Sequence, residues 1–425
     1  MMLPTIVMIA ALGGSVQTLD DAVKTAEEHQ PQIRQALATS QAADAAVDVS
    51  QSGLLPQVAG TAKYSRSTSN YAPQPGSSPR GTTGSSNSFD TSNYFNFGIT
   101  ATQLLYDFGQ TADQWKASKA AAEASHQSED AIRQQIVANV RVVFFTARAQ
   151  KELVKVAQQT VANQQRHLEQ TQGFVEAQTH PSIDLAQAKA DMANAQLQLI
   201  NAQNAYATAK AQLNQAMGVV RDTNYEVADD TLPPLPEENE STDALMSRAM
   251  TRPDLVALQK KVRAQELQIS ATRGSYGPTL SASTSLTEGG GQLNNMAWNW
   301  SGMIVLNWPI YQGGVTRSQV TEQQATLVAL EAQLEGQRQQ VRLSIEQARL
   351  AITAAKAGIQ VADIALSNAN DRLALAEGRY AAGVGSMIEL GDAQLAATAA
   401  AAQKVQAEFS LATARAQLLQ AIGRE

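Results

Sequence analysis

The 425-residue chain has no cysteine, four histidines and only 5% aromatic residues. Lack of cysteine removes any disulfide framework, thiolate metal site, cysteine nucleophile or lipid-accepting thiol near the N-terminus. The last point argues against a lipid-anchored protein. His29, His126, His167 and His180 show no metal-ligand spacing such as H-E-x-x-H. There is also no G-x-S-x-G elbow and no phosphate-cradling G-x-x-x-x-G-K, so an enzyme, a metal site or a bound cofactor is not expected. Charged residues are scarce at 17%, against about 25% in soluble domains. The 32 Lys and Arg stand against 39 Asp and Glu, a net charge of −7 that leaves no basic footprint for nucleic acid.

Long apolar runs are also lacking, with one exception. Residues 1–16 are apolar apart from Pro4, Thr5 and Ser15, and end in the small residues Gly13, Gly14 and Ser15. This resembles a signal-peptide core, so 1–17 is read as an export signal; a misplaced start or a short buried segment are the alternatives. No stretch beyond Val16 approaches the ~18 consecutive apolar residues of a spanning helix. If the chain crosses a membrane, it does so with strands.

What is present is an internal duplication. Asp21, Ala22, Pro31 and Pro56 recur as Asp243, Ala244, Pro253 and Pro278, each 222 residues on. Tyr106, Gly109, Gly173, Ile183, Leu185 and Gly218 recur as Tyr311, Gly314, Gly378, Ile388, Leu390 and Gly423, each 205 residues on. A fixed offset of this kind marks a tandem repeat. The organisation is a first copy over 18–220, a Pro-rich crossover over 221–240 around Pro233, Pro234 and Pro236, and a second copy over 241–425. The change of offset puts an insertion in the first copy, and the Ser, Gly and Pro content of 65–93 reads as a loop.

Each copy reads as helix, strand, loop, strand, very long helix, turn, long helix. Residues 110–172 contain neither Gly nor Pro; as one helix, these 63 residues would reach ~95 Å. Ile132, Ile136, Val140, Val143 and Ala147 recur at three- and four-residue steps, which suits helices packed side by side; a soluble helical rod fits these segments equally well. The strands separate the two. Val58, Gly60, Ala62 and Tyr64 alternate with Ala59, Thr61, Lys63 and Ser65, and Phe95, Phe97, Ile99 and Ala101 alternate with Asn96, Gly98, Thr100 and Thr102. The second copy repeats this with Leu280, Ala282, Thr284 and Leu286, then Trp298, Trp300, Ile304 and Leu306. Ten-residue segments with one apolar face, one polar face and aromatics near the ends fit a transmembrane barrel; a half-buried sheet on a soluble core is the alternative. Gly289, Gly290 and Gly291 read as the strand-connecting turn. Four strands per chain cannot close a barrel, two chains would give about eight strands and a filled interior, and three would give about twelve and a lumen.

These residues resemble the TolC family of outer-membrane efflux proteins over essentially the whole chain after the signal. The family's strand-to-helix signature is similar to Tyr106, Asp107 and Gly109 in the first copy and Tyr311, Gly313 and Gly314 in the second. Its hairpin-tip pattern is similar to Arg379, Tyr380 and Gly383 followed by Ile388 to Gln394. The resemblance implies an α+β membrane protein: a homotrimer with a twelve-stranded barrel among outer-membrane lipids and long antiparallel helices forming a periplasmic α-helical barrel. It further implies a passive exit duct for a tripartite efflux pump or type I secretion system, docking to a periplasmic adaptor and an inner-membrane transporter. A structural or adhesive coiled-coil envelope protein is the rival. No lipoyl-like small-β pattern supports an adaptor.

Within that resemblance, Glu389 and Asp392 match acidic positions of the periplasmic entrance and Asp184 is the first-copy equivalent of Glu389; in a trimer they would form cation-selective rings. Glu389 also reads as a capping-box residue with Ser386, and Asp392 as a solvated helix face. The hairpin tips over 173–182 and 378–387 are the expected adaptor-docking points, through Gly173, His180, Pro181, Tyr380, Gly383, Gly385 and Ser386; turn geometry alone accounts for them as well. Some family members carry a basic residue where this chain has Gly385.

Overall fold

The computed structural model describes residues 16–68 and 89–424. The expected export signal lies outside the described residues except for its last two positions. In chain order the elements are β1 (Val16–Gln17), α1 (Leu19–His29), α2 (Pro31–Ser52), β2 (Gln57–Thr68), β3 (Thr91–Tyr106), α3 (Gln110–Glu176), α4 (Ser182–Ala216) and β4 (Glu226–Val227). A 3-10 turn (Pro236–Asn239), α5 (Thr242–Ala249), α6 (Pro253–Gly274), β5 (Thr279–Gln292), β6 (Asn295–Asn307), α7 (Val315–Ala381) and α8 (Met387–Ile422) follow.

Each copy opens on two helices rather than one. Proline disfavours helical backbone in the residue before it, and Gln30 accordingly sits at φ −65°, ψ 120° ahead of Pro31. Gln30 Nε2 donates to Ala216 O at 2.9 Å, and its second-copy equivalent Arg252 donates through Nη1 to Ala421 O at 2.7 Å. These bonds satisfy terminal carbonyls of α4 and α8 that have no partner within their helices. Gly218 and Gly423 end the same helices at φ 71° and 73°. A Cβ on Gly218 would stand 2.6 Å from the Gln30 Cα, so glycine is required there twice over.

The chain forms two compact units. The first draws on Met1–Ser40, Ser125–Leu258 and Gln333–Glu425 and holds two apolar cores related by the duplication. Ile136, Val140, Ala147, Ala209, Leu213 and Met217 in one core match Val341, Ile345, Ile352, Ala414, Leu418 and Ile422 in the other, all at the 205-residue offset. Each buried Val, Leu, Ile or Met side chain among them contributes roughly 1.5–3 kcal/mol, and each Ala methyl less than about 1. Helix α7 contains an 18-residue window of mean hydropathy 1.3 with at most two charges, enough by length and composition to cross a membrane. Only 11% of that window is buried, and α7 exposes Leu350, Val361 and Ile364, while Val341, Ile345, Ala348 and Ile352 of the same helix belong to a buried core.

The crossover is more than a linker. β4 pairs in parallel with β1, and the 3-10 turn buries two carboxylates. Glu238, with its side chain 2% exposed, accepts from Arg415 Nε at 2.7 Å, Lys356 Nζ at 2.5 Å and the Leu235 N–H at 3.0 Å. Glu237 accepts from Arg424 Nη1 at 2.5 Å. Arg248 Nη1 also lies 3.5 Å from Glu237, so prolines stiffen the approach and four cations pairing with two neighbouring carboxylates anchor its end.

The second unit, Gln41–Ala124 with Gln259–Ala332, contains one antiparallel sheet in the order β2-β3-β5-β6. Its register aligns Gly60, Ile99, Leu286 and Trp300 in one row and Ala62, Phe97, Glu288 and Trp298 in the next. The alternation expected from sequence thus merges into one apolar face across four strands, interrupted by Glu288 and, near the end of β2, by Arg66. Two expectations are corrected. Residues 65–68 and 91–93 pair as strand instead of belonging to the loop, because register with β3 continues past Tyr64; the rest of that insertion, over 69–88, lies outside the described residues. Gly289, Gly290 and Gly291 lie within β5, and the turn falls at Leu293 and Asn294. The glycines answer crowding: a Cβ on Gly289 would stand 2.6 Å from Tyr94 Oη and one on Gly290 2.4 Å from Asn295 O.

Candidate functional site

The hairpin tips of the first unit bring the two copies together. Tyr380, near the end of α7, is 1% exposed and forms a core with Ala376, Leu390 and Ala393, against which Phe174 and Met387 pack. Its hydroxyl lies 3.4 Å from Thr171 Oγ1 of α3. The His180 ring stacks on Phe174 at 4.7 Å and meets Tyr380 at 5.2 Å. Tyr380 and His180, expected as docking residues, are therefore first of all the packing that joins one tip to the other.

His167, buried on α3, meets the Tyr380 ring edge-on at 5.2 Å and places Nε2 3.0 Å from Met387 Sδ. Burial holds its pKa below the ordinary 6.5, while Asp191 and Asp184 pull the other way. Burial likewise pushes the Tyr380 phenol up. The tip core is an aromatic cluster bordered by the Asp184 and Asp191 carboxylates.

The turns follow the duplication with one exchange of residue type. Gly383 sits at φ 74°, and its equivalent Gln178 at φ 58°, a left-handed conformation that costs a non-glycine residue roughly 1–2 kcal/mol. Gly173 and Gly378, expected in the turns, instead lie in the last helical turns of α3 and α7, because Phe174 and Tyr380 beyond them must stay on the helix to reach their core. Pro181, at φ −72° and ψ 149°, is the extended residue preceding α4. A Cβ on Gly385 would lie 2.9 Å from the Tyr380 N and 3.0 Å from the Arg379 carbonyl carbon. Backbone from the end of α7 thus fills the space that a basic side chain at this position would need.

The acidic residues divide. Ser386 Oγ accepts from the Glu389 N–H at 3.1 Å, the hydroxyl half of a capping box. The carboxylate half turns elsewhere: Glu389 Oε1 lies 3.5 Å from Arg379 Nε. Asp392, exposed one turn on, lines a groove of about 440 Å³ together with Gln164, Gln187, Asp191, Met387 and Gln394. Asp184 is half-buried in the first turn of α4 and does not line this groove; Asp191, two turns on along the same helix, takes its place and accepts from Gln187 Nε2 at 2.9 Å. Asp191 was not singled out from sequence, although its seven-residue spacing from Asp184 keeps both on one helical face. Among the described residues no cluster of three or more His, Asp or Glu is arranged to hold a metal.

In the second unit the strand-to-helix signatures form the same turn twice. Asp107, 7% exposed, accepts from the Thr111 N–H at 2.7 Å and caps α3; Gln312 in the second copy accepts from Thr316 Oγ1 at 2.8 Å. Phe108 and Gly109 at φ 55° and 84° match Gly313 and Gly314 at 63° and 85°. Phe108 takes up the left-handed position because its ring fills the space over Gly277, where a Cβ would stand 2.5 Å from it. Tyr106 and Tyr311 are exposed, alongside Trp308 and Ile310, which puts aromatic side chains at strand ends as membrane interfaces favour.

Two copies of helix-helix-strand-strand-helix-helix, joined by a shared tip core and one apolar sheet face, narrow the comparison with known proteins. The profile described as "Outer membrane efflux protein" matches residues 22–219 and again 247–424. The chain belongs to that family. The outer membrane efflux family comprises outer-membrane channels, not enzymes, and the chain is accordingly an outer-membrane protein with the TolC-like α+β fold. It is 25% identical over 334 residues to outer membrane protein TolC of Vibrio cholerae, covering 75% of this chain and 70% of that one. It is 22% identical over 264 residues to the Salmonella typhimurium protein described as "Probable outer membrane lipoprotein SilC", covering 58% of this chain. That match spans little more than half of SilC, 55%. The solved outer-membrane channel OprN shares the fold at a TM-score of 0.83 and 19% identity, over 96% of this chain and 90% of that one.

Proposed function

We propose that this efflux-family chain is one protomer of a homotrimeric exit duct, in which three copies of the β2-β3-β5-β6 sheet close a twelve-stranded barrel and the long helices line a periplasmic tunnel. The observation that carries this reading is the sheet itself. It is an open set of four strands with β2 and β6 at its edges, and it presents Tyr64, Ile99, Leu286, Trp298, Trp300 and Ile304 to solvent. Open edges invite pairing, and an apolar face this broad needs a lipid or protein partner. The duct is passive. Its tips, around Ile183, Val384 and Ile388, dock a periplasmic adaptor, and an inner-membrane transporter supplies the energy, in tripartite efflux or type I secretion. Glu389, Asp392 and Asp191 give the tips a carboxylate-lined mouth that favours cations.

Native mass spectrometry of the detergent-solubilised protein, followed by conductance in planar bilayers, tests this reading. A trimer that opens cation-selective pores is the expected result. A monomer, or a verified trimer without a pore, would return the structural coiled-coil reading to first place.

A further inference from the structure

We propose that Lys63 builds an anion-favouring site inside the strand barrel, giving the duct a selectivity element of opposite sign to its acidic tips. The inference rests on the barrel reading above. The four sheet strands carry three charged side chains among them: Lys63, Arg66 and Glu288. Side chains alternate faces along a strand, so Arg66 falls on the apolar face with Tyr64, and Glu288 falls there beside Phe97 and Trp298. Lys63 alone falls on the polar face, opposite Asn96, in a row continued by Gly289 and Ala297. The neighbouring row on that face is Thr61, Gly98, Thr287 and Asn299. No carboxylate shares the face, and the exposed Lys63 side chain makes no ion pair among the described residues.

Geometry gives that charge reach. Twelve strands about 4.8 Å apart and tilted by about 40° close on a backbone radius of roughly 12 Å. A lysine stem covers around half of this, which leaves the ammonium within the Debye length, about 8 Å at physiological salt, of the barrel axis. Every solute leaving through the barrel passes through the field of three such groups, and low-dielectric walls focus it. Lys rings favour anions as carboxylate rings favour cations. Screened Coulomb interaction at this distance makes three ammonium groups worth about a fivefold gain for a monovalent anion and an equal penalty for a monovalent cation. The class of solute that gains from the site is anionic, whether an inorganic ion or an organic carboxylate.

The test is the reversal potential of the full-length trimer in planar bilayers under a KCl gradient, for wild type, Lys63→Gln and Lys63→Glu. The cation-to-anion permeability ratio is expected to rise by more than about tenfold in Lys63→Gln, since anion gain and cation penalty multiply, and further in Lys63→Glu, and the differences to shrink in 1 M salt, where the Debye length is about 3 Å. Conducting variants with wild-type reversal potentials at low salt would overturn the proposal and leave the barrel standing. A wild-type trimer without any pore would overturn both.

Discussion

The Glu389 carboxylate pairs with Arg379 Nε at 3.5 Å, across the turn between α7 and α8, and makes no bond to the N–H of Ser386. The acid expected to be either a mouth residue or a helix cap is thus partly neutralised by a cation from its own hairpin. Both side chains are more than a third exposed, so the pair itself stabilises the tip by less than about 1 kcal/mol. Its larger effect is on charge at the mouth. Arg379→Gln should leave the melting temperature nearly unchanged and strengthen block of the channel by Mg²⁺ or Ca²⁺. Glu389→Gln combined with Asp392→Asn should weaken it. Divalent titration of single-channel current reads both directions in one experiment.

Gly385 is held by crowding, not by an unusual dihedral. Its missing side chain leaves room for the Tyr380 N and the Arg379 carbonyl carbon, each within about 3 Å of where a Cβ would stand. Forcing atoms into a packed site typically costs about 1–3 kcal/mol, so Gly385→Ala should loosen the second tip by that order and Gly385→Arg by at least as much. Val384→Ala, at a neighbouring side chain 70% exposed, should be close to neutral. Limited proteolysis of the trimer distinguishes them: faster cleavage between α7 and α8 is expected for both Gly385 variants and not for the Val384 control.

The same tip should respond to acid. Burial depresses the His167 pKa below 6.5 in the folded chain, so between that lowered value and 6.5 the unfolded chain binds more protons than the folded one. Stability then rises with pH through this window. The contribution is fully present above pH 6.5 and is lost as pH falls through the folded value. His167→Gln should flatten that dependence. Hydrogen exchange of the Thr171 to Glu176 amides, corrected for intrinsic rates and compared between pH 7 and 5, should show increasing exposure in acid for wild type and little change for the variant.

The sequence made the architecture legible because the duplication and the period-two strands are local, repeated signals. The order of elements along each copy and the face assignments at Tyr64, Phe97 and Trp300 follow from them, whereas the order of strands in the sheet does not. What it concealed depends on partners distant in the chain. The glycine triplet from Gly289 to Gly291 looks like a turn until Tyr94 and Asn295 are seen to crowd it. Gly173 looks like a helix end until Phe174 is found packed beyond it. Asp191 lies on the face of Asp184, yet nothing local says that the groove opens at 191 and not at 184. Phe108, at a left-handed position where the second copy has Gly313, is explained only by Gly277, 169 residues away in the chain.

The crossover is the least legible segment of all, and its anchor offers the sharpest stability test. Proline content around Pro233 suggests an extended linker, and nothing near it in the sequence shows that Glu238 will be buried between Lys356 of α7 and Arg415 of α8. Burial pushes the Glu238 carboxyl up, but the Leu235 N–H, Lys356 and Arg415 outweigh it and hold the group below the usual carboxylate range. Removing one member of such a buried set leaves the others uncompensated and costs about 3–5 kcal/mol. Glu238→Ala should therefore lower the thermal stability of the assembled protein far more than Glu240→Ala, whose carboxylate pairs at the surface with Arg248 at 2.7 Å. If an Arg415→Met change in the Glu238→Ala background restores part of the loss, the cost arose from the stranded charge. If the double variant is as unstable as the sum of the two single ones, Glu238 acts through its backbone cap at Leu235 instead. Thermal shift of the detergent-solubilised protein, read across the four variants, decides between these mechanisms.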